Sequence, residues 1–301
     1  MTDVDTFKNA LNSFSNDENS FIKLVTNYTI SQRLKLKKAY KDKFNTDILE
    51  DIKNILVEKY NDLMIALFTN AIEYDCIFLK NSLKENESDI ETILEIVSNK
   101  PIWLINKIKE KYSEKFSEEL EENIKKIITD ENIQNLILIL LNSEKDDNKE
   151  FNIEESKNQA KELFEAEDEE IKEKFYNIIK NSSQKELSII IREYHKLSNK
   201  TIIDFIKENI TNEIQNYVSS ILFLIISPSE YFAKRINSII KELNDDLKIK
   251  LLIRILISRS ELDLNQIIHY YKVLFNKEII DDIKENLNGD YQMALIELLS
   301  H

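Results

Sequence analysis

The stretch Leu252-Ile253-Arg254-Ile255-Leu256-Ile257-Ser258-Arg259-Ser260-Glu261-Leu262-Asp263-Leu264 is followed, 25 residues after Leu264, by Gly289-Asp290-Tyr291-Gln292-Met293-Ala294-Leu295-Ile296-Glu297-Leu298-Leu299. This unit contains an apolar helix running into a charged turn, and a second apolar helix closes it. Between them lies an amphipathic helix ending His269-Tyr270-Tyr271-Lys272-Val273-Leu274-Phe275. Internal repeats are sought before anything else, and this unit recurs three more times upstream.

The matching amphipathic helices read Leu34-Lys-Leu-Lys-Lys-Ala-Tyr40-Lys-Asp-Lys-Phe44, Ile108-Lys-Glu-Lys-Tyr112-Ser-Glu-Lys-Phe116 and Ile191-Arg-Glu-Tyr194-His195-Lys-Leu197. Their marker tyrosines, with Tyr271, are spaced by 72, 82 and 77 residues. An aromatic stripe at helical spacing reads as core. Each copy closes on a strongly apolar helix, over 63–68, 136–141, 221–226 and 294–299. Such helices need cover on most sides, which neighbouring copies supply. In the first copy the pattern predicts helices over 4–12, 17–27, 29–44, 47–55 and 58–69. Pro101 and Pro228 stand at helix starts, where a missing N–H costs nothing.

Composition agrees with helices. Of 301 residues 42% are apolar, enough for a buried core or several stacked small ones, while one glycine and two prolines make a turn-rich β fold improbable. Cys76 is the only cysteine, which excludes an intramolecular disulfide and a cysteine-cluster zinc site. Among Tyr74, Ile77 and Phe78 it reads as a small buried hydrophobe. The acidic N-terminus has no signal-peptide h-region, and the apolar runs are too short to span a bilayer. A soluble, cytoplasmic protein is expected, peripheral if it meets a membrane. The net charge of −14 argues against nucleic acid and against simple attraction to an anionic leaflet. Lys35, Lys37, Lys38, Lys41 and Lys43 form a local basic run, which reads as a solvated helix face rather than a lipid patch.

The recurring unit, and above all the pairing of 252–264 with 289–299, resembles the annexin family, over about residues 4–300 and most strongly in the first and fourth copies. The resemblance implies an all-α fold of four five-helix repeats in a curved array: residues 1–70, 71–142, 155–227 and 228–301, with 143–154 as a linker. It also implies binding to acidic phospholipid membranes through calcium held in Gly-x-Gly-Thr loops between the first two helices of a repeat. A carboxylate about forty residues downstream caps the ion. Calcium wants six to eight oxygens, and glycines let a tight loop turn its carbonyls outward.

At the positions matching this pattern, the first loop is Ser13-Phe14-Ser15-Asn16 and its cap, 42 residues after Ser13, is Ile55. The second is Glu85-Asn86-Glu87-Ser88 with cap Ile127, and the fourth is Asn244-Asp245-Asp246-Leu247 with cap Asn286. The third lies near Glu167-Asp168-Glu169-Glu170, with cap Asn209. No loop keeps a glycine and no cap keeps an acid, as in divergent protist members of the family. Calcium is therefore expected to bind weakly or not at all, although Asp17, Glu85, Glu87, Asp168, Asp245 and Asp246 still bring oxygens. Phe14, between the two missing glycines, is expected at the loop tip as a lipid contact, with burial against its own helices as the alternative.

No catalytic constellation stands out. His195, His269 and His301 lack a metal-ligand partner at helical spacing, and pairs such as Glu121-Glu122 and Asp281-Asp282 show no sign of burial. Arg254, Arg259, Glu261 and Asp263 read as structural ion pairs. The expected function is peripheral phospholipid binding with weak or lost calcium dependence. The alternative is a structural scaffold with a cytoskeletal protein as partner.

Overall fold

A computed structural model of the chain describes residues 3–56, 58–85, 87–98, 100–143, 152–243, 246–287 and 290–300. Among these residues the structure is α-helical throughout, with twenty α-helices and one 3-10 turn. They form four sets of five. The first is α1 (Asp3–Asn12), α2 (Glu18–Thr26), α3 (Ile30–Phe44), α4 (Ile48–Ile55) and α5 (Glu58–Phe68), with the 3-10 turn Phe14–Asn16 between α1 and α2. The second is α6 (Ala71–Ser82), α7 (Ile90–Val97), α8 (Ile102–Phe116), α9 (Leu120–Ile127) and α10 (Glu131–Leu141). The third is α11 (Ile153–Phe164), α12 (Asp168–Asn181), α13 (Gln184–Ser198), α14 (Ile202–Asn209) and α15 (Asn212–Ile226). The fourth is α16 (Pro228–Lys241), α17 (Asp246–Arg259), α18 (Leu264–Phe275), α19 (Ile279–Asn286) and α20 (Asp290–Leu299). The five helices expected in the first set fall within two residues of these ends. Most of the expected linker, residues 144–151, lies outside the described residues.

The third helix of each set organises its neighbours. Tyr40, Tyr112 and Tyr271 are fully buried and Tyr194 is 6% exposed. Each meets the residue eleven positions on. The Tyr40 hydroxyl donates to Asp51 Oδ2 at 2.5 Å, Asn123 Nδ2 donates to the Tyr112 hydroxyl at 2.8 Å, and the Tyr271 hydroxyl donates to Asp282. In the third set the partner is Phe205, whose ring stands edge-on to Tyr194 at 5.3 Å. Three of the tyrosines also pack on the aromatic ring one turn later, Phe44, Phe116 and Phe275, at 4.8 to 4.9 Å. Ring and hydroxyl together dock the third helix onto the fourth.

The third helices also explain how a chain with one glycine turns its corners. They end on Asn45, Ser117, Asn199 and Asn276, the non-glycine residues with positive φ among those described, at 54, 55, 56 and 53°. Asparagine tolerates this left-handed state better than most residues with a Cβ, so three of the four corners use the cheapest available substitute for glycine.

The chain divides into two compact units, Met1–Ala71 with Phe232–His301, and Ile72–Tyr231. In the first unit α5 lies against α3, α4, α17 and α20. In the second, α15 lies against α7, α10, α13 and α14. The apolar closing helices are therefore covered on several sides, as their composition requires. Arg33, 2% exposed in the first unit, donates Nε to the Leu67 carbonyl at 2.8 Å and its terminal nitrogen to the carbonyls of Val25 and Tyr28. Burial lowers its pKa to about 10, against the pull of Glu261, so it remains a cation that holds the ends of α2 and α5.

Asp282 shows what the clasp does for stability. Burial pushes its carboxyl up, but hydrogen bonds from Lys277 and Tyr271 outweigh this and hold it below the usual carboxylate range. A depressed folded pKa gives stability that is present above the unfolded value and lost as pH falls through the folded one. In urea unfolding, Asp282→Ala is expected to cost about 1–3 kcal/mol at neutral pH. Asp282→Asn is expected to flatten the loss of stability between about pH 5 and pH 2. Unchanged midpoints and pH slopes in both variants would contradict the clasp.

Candidate functional site

The loops between first and second helices and the connections between fourth and fifth hold the positions matching the expected calcium sites. In the first set the loop is wound rather than open. Phe14 begins the 3-10 turn and is only 4% exposed, with its ring edge-on to Phe21 at 5.5 Å. Phe21 in turn packs on Phe7, which touches Tyr40 and Phe68. The expectation that Phe14 stands exposed as a lipid contact is thus corrected. With no glycine to hold the loop outward, a single apolar side chain finds more to bury in the aromatic core than in solvent. Ser13 and Ser15 on either side are exposed. Asp17, the nearest carboxylate, accepts from the Ser20 backbone N–H at 3.0 Å and caps α2.

The capping positions differ from one another. Ile55 is 39% exposed at the end of α4, and Ile127 is half-buried at the end of α9. Asn209 and Asn286 turn their amides onto their own helices, donating Nδ2 to the carbonyls of Phe205 at 2.9 Å and Asp282 at 2.8 Å. Glu85, Glu87 and Asp246 are exposed, and Asp245 lies outside the described residues. Asp168 begins α12.

The second set is where loop and cap meet in an open cavity of about 440 Å³, lined by Glu85, Ser88, Lys126, Ile127, Thr129 and Asp130 among others. Its oxygens are partly committed. Ser88 donates its hydroxyl to the Lys84 carbonyl at 2.9 Å, and Asp130 accepts from the Asn132 and Ile133 backbone N–H groups at 2.9 and 3.0 Å. Among the described residues, no three histidine, cysteine or acidic side chains gather at metal-ligand spacing.

A residue type that the sequence reading passed over fixes these connections. Gln134 donates its amide to the carbonyls of Lys125 and Ile128, Gln215 to those of Lys207 and Ile210, and Gln292 to those of Lys284 and Leu287, at 2.7 to 3.3 Å. Three copies thus tie backbone oxygens beside the cap position to a side chain of the fifth helix. The signal was present, since the glutamines follow their tyrosines by 22, 21 and 21 residues.

The residues weighed for chemistry have structural partners. Cys76 is buried, donates to the Ile108 carbonyl at 3.4 Å, and has its thiol pushed up to about 12, chiefly by burial. Glu121 and Glu122 pair with Lys109 and Lys125 at 2.6 and 2.7 Å. Asp282, expected to be solvated, is instead buried against Tyr271, because its helix turns that side chain inward at the clasp. Arg259 pairs with Asp263 at 2.7 Å over the Phe232 ring, and Glu261 accepts from the Ile30 backbone N–H at 2.5 Å.

Comparison with known proteins agrees with this arrangement. The Annexin family model matches residues 2–67 and 231–298, nearly the extent of the first compact unit. Mouse annexin A4 is 27% identical over 98% of the chain and 93% of its own length. Chicken annexin A6 is 25% identical over 98% of the chain, which spans 44% of that longer relative. The solved structure of a point mutant of annexin A8 superposes with a TM-score of 0.84 at 27% identity, covering 99% of this chain and 93% of that one.

The burial of Phe14 is open to direct test. Phe14→Ala is expected to destabilise the protein by about 3–5 kcal/mol in urea unfolding, the usual cost of emptying a core phenylalanine site. A change below about 1 kcal/mol would place the ring in solvent instead.

Proposed function

Because the chain belongs to the annexin family, we propose that it is a peripheral phospholipid-binding protein whose loop sites hold calcium weakly. The observation that carries this reading is the donor chemistry at the four cap positions. Ile55 and Ile127 bring no oxygen. Asn209 and Asn286 bring neutral amides already hydrogen-bonded to helix carbonyls. A hard divalent cation wants about six to eight oxygens with anionic ligands among them, and the residues present do not fit that requirement. The glutamine ties at the connections of the second, third and fourth sets reduce the free carbonyls further.

Electrostatics point the same way. At a net charge of −14 the protein is repelled as a whole by an anionic bilayer, and without bound divalent ions little bridges the two. Calcium dependence is therefore weak, confined to roughly the millimolar range of low-affinity sites. A scaffold that has left lipid behind is the remaining reading, and the same experiment separates it.

The test is co-sedimentation with phosphatidylserine vesicles in micromolar calcium, in millimolar calcium and in chelator. Micromolar calcium is expected to leave the bound fraction at its chelator value. Asn286→Asp alone is expected to restore nothing, because the fourth loop still has no glycine to direct its carbonyls. Strong binding at micromolar calcium that chelator reverses would overturn the weak-site reading. Absence of binding in every arm would favour the scaffold.

A further inference from the structure

Helix α3 carries Arg33, Lys35, Lys37, Lys38, Lys41 and Lys43 against a single acid, Asp42, in a chain of net charge −14. Arg33 is buried. Lys43 pairs with Asp5 at 2.5 Å, and Lys37 lies 4.0 Å from Asp47. Lys35, Lys38 and Lys41 are exposed, and among the described residues no carboxylate lies within ion-pair distance of them. Their spacing of three residues sets them on a slanted row across the exposed face of the helix, each turned about 60° from the last and the row rising about 9 Å.

A groove of about 540 Å³ lies beside the first of them, lined by Asp3, Val4, Tyr28, Gln32, Lys35, Leu36 and Ala39. The groove also fixes where Lys35 sits. Val4, at the start of α1, lines it, whereas Phe14 opens the 3-10 turn that follows the end of α1. Lys35 therefore lies beside the start of α1, not beside the loop at residues 13–16 that follows its end.

We infer that the exposed face of α3, through Lys35, Lys38 and Lys41, is a calcium-independent docking surface for anionic phospholipid headgroups. The inference rests on the phospholipid-binding reading above and gives that binding a surface other than the degenerate loops. A slanted row of flexible ammonium groups makes no shape demand on its partner, which suits a fluid headgroup layer. Each lysine near an anionic leaflet strengthens binding by about fivefold, so three together contribute roughly a hundredfold. The attraction falls as salt shortens the screening length from about 10 Å at 0.1 M to about 3 Å at 1 M.

The experiment is co-sedimentation of the full chain with phosphatidylserine and phosphatidylinositol bisphosphate vesicles in chelator, at low and high salt. The triple variant Lys35→Gln/Lys38→Gln/Lys41→Gln is compared with Lys125→Gln/Lys157→Gln/Lys196→Gln, which changes net charge equally but removes lysines that already have glutamate partners. The α3 variant is expected to lose roughly a hundredfold in affinity, the control only a few-fold, and high salt to release the wild type. Circular dichroism checks that both variants keep their helices, as expected for exposed substitutions. Equal losses in the two variants would overturn the assignment. Binding seen only at millimolar calcium and indifferent to α3 would sink the stripe yet leave the phospholipid reading standing. No binding in any arm would sink both. Binding to soluble polyglutamate with none to vesicles would assign the stripe to an acidic protein and overturn the lipid assignment.

Discussion

Beneath each third helix a tyrosine is buried with its ring against the core and its hydroxyl or edge against the residue eleven positions on. Everything nearby is placed by that contact. The partner lies in the fourth helix, so the clasp sets where the fourth helix runs and where its connection to the fifth emerges. Where the partner is Asp51 or Asp282, a lysine completes it: Lys8 at 2.6 Å in the first set and Lys277 in the fourth. Where it is Phe205, packing alone does the work. Left-handed residues at the helix ends then turn the chain without glycine.

The same frame accounts for the chemistry at the loops. A calcium site on such a scaffold needs outward carbonyls and an anionic cap, neither of which contributes to the clasp. Replacing the caps by isoleucine or asparagine leaves the frame intact, and Phe14 gains burial that an open loop would forgo. Stability and ion binding are thus separable on the proposed reading: the residues of the clasp are present in every set, while the four cap positions carry no carboxylate.

Much of this was legible in the sequence. The tyrosines at 40, 112, 194 and 271 and the four apolar closing helices have the helical period, and they located the sets. Phe14 was not legible, because one aromatic residue in a short polar loop has no period to show which way it faces. The burial of Asp282 was hidden for a related reason, since its neighbour Asp281 is exposed and the pair reads as a solvated face. Its tie to Tyr271 would have been visible as a tyrosine with Asp or Asn eleven residues later in three copies. The glutamine ties carried a similar spacing signal. Lys35, Lys38 and Lys41 were visible as charge, but only packing shows that no carboxylate meets them.

A ligand that binds the folded state tightly must raise its stability by mass action, about 2.7 kcal/mol per site at a hundred times the dissociation constant. Thermal unfolding of the full chain in chelator and in about 100 μM calcium therefore tests the central claim without any membrane present. The account predicts coincident melting curves. A rise of several degrees, the shift that even one micromolar site would bring, would contradict it.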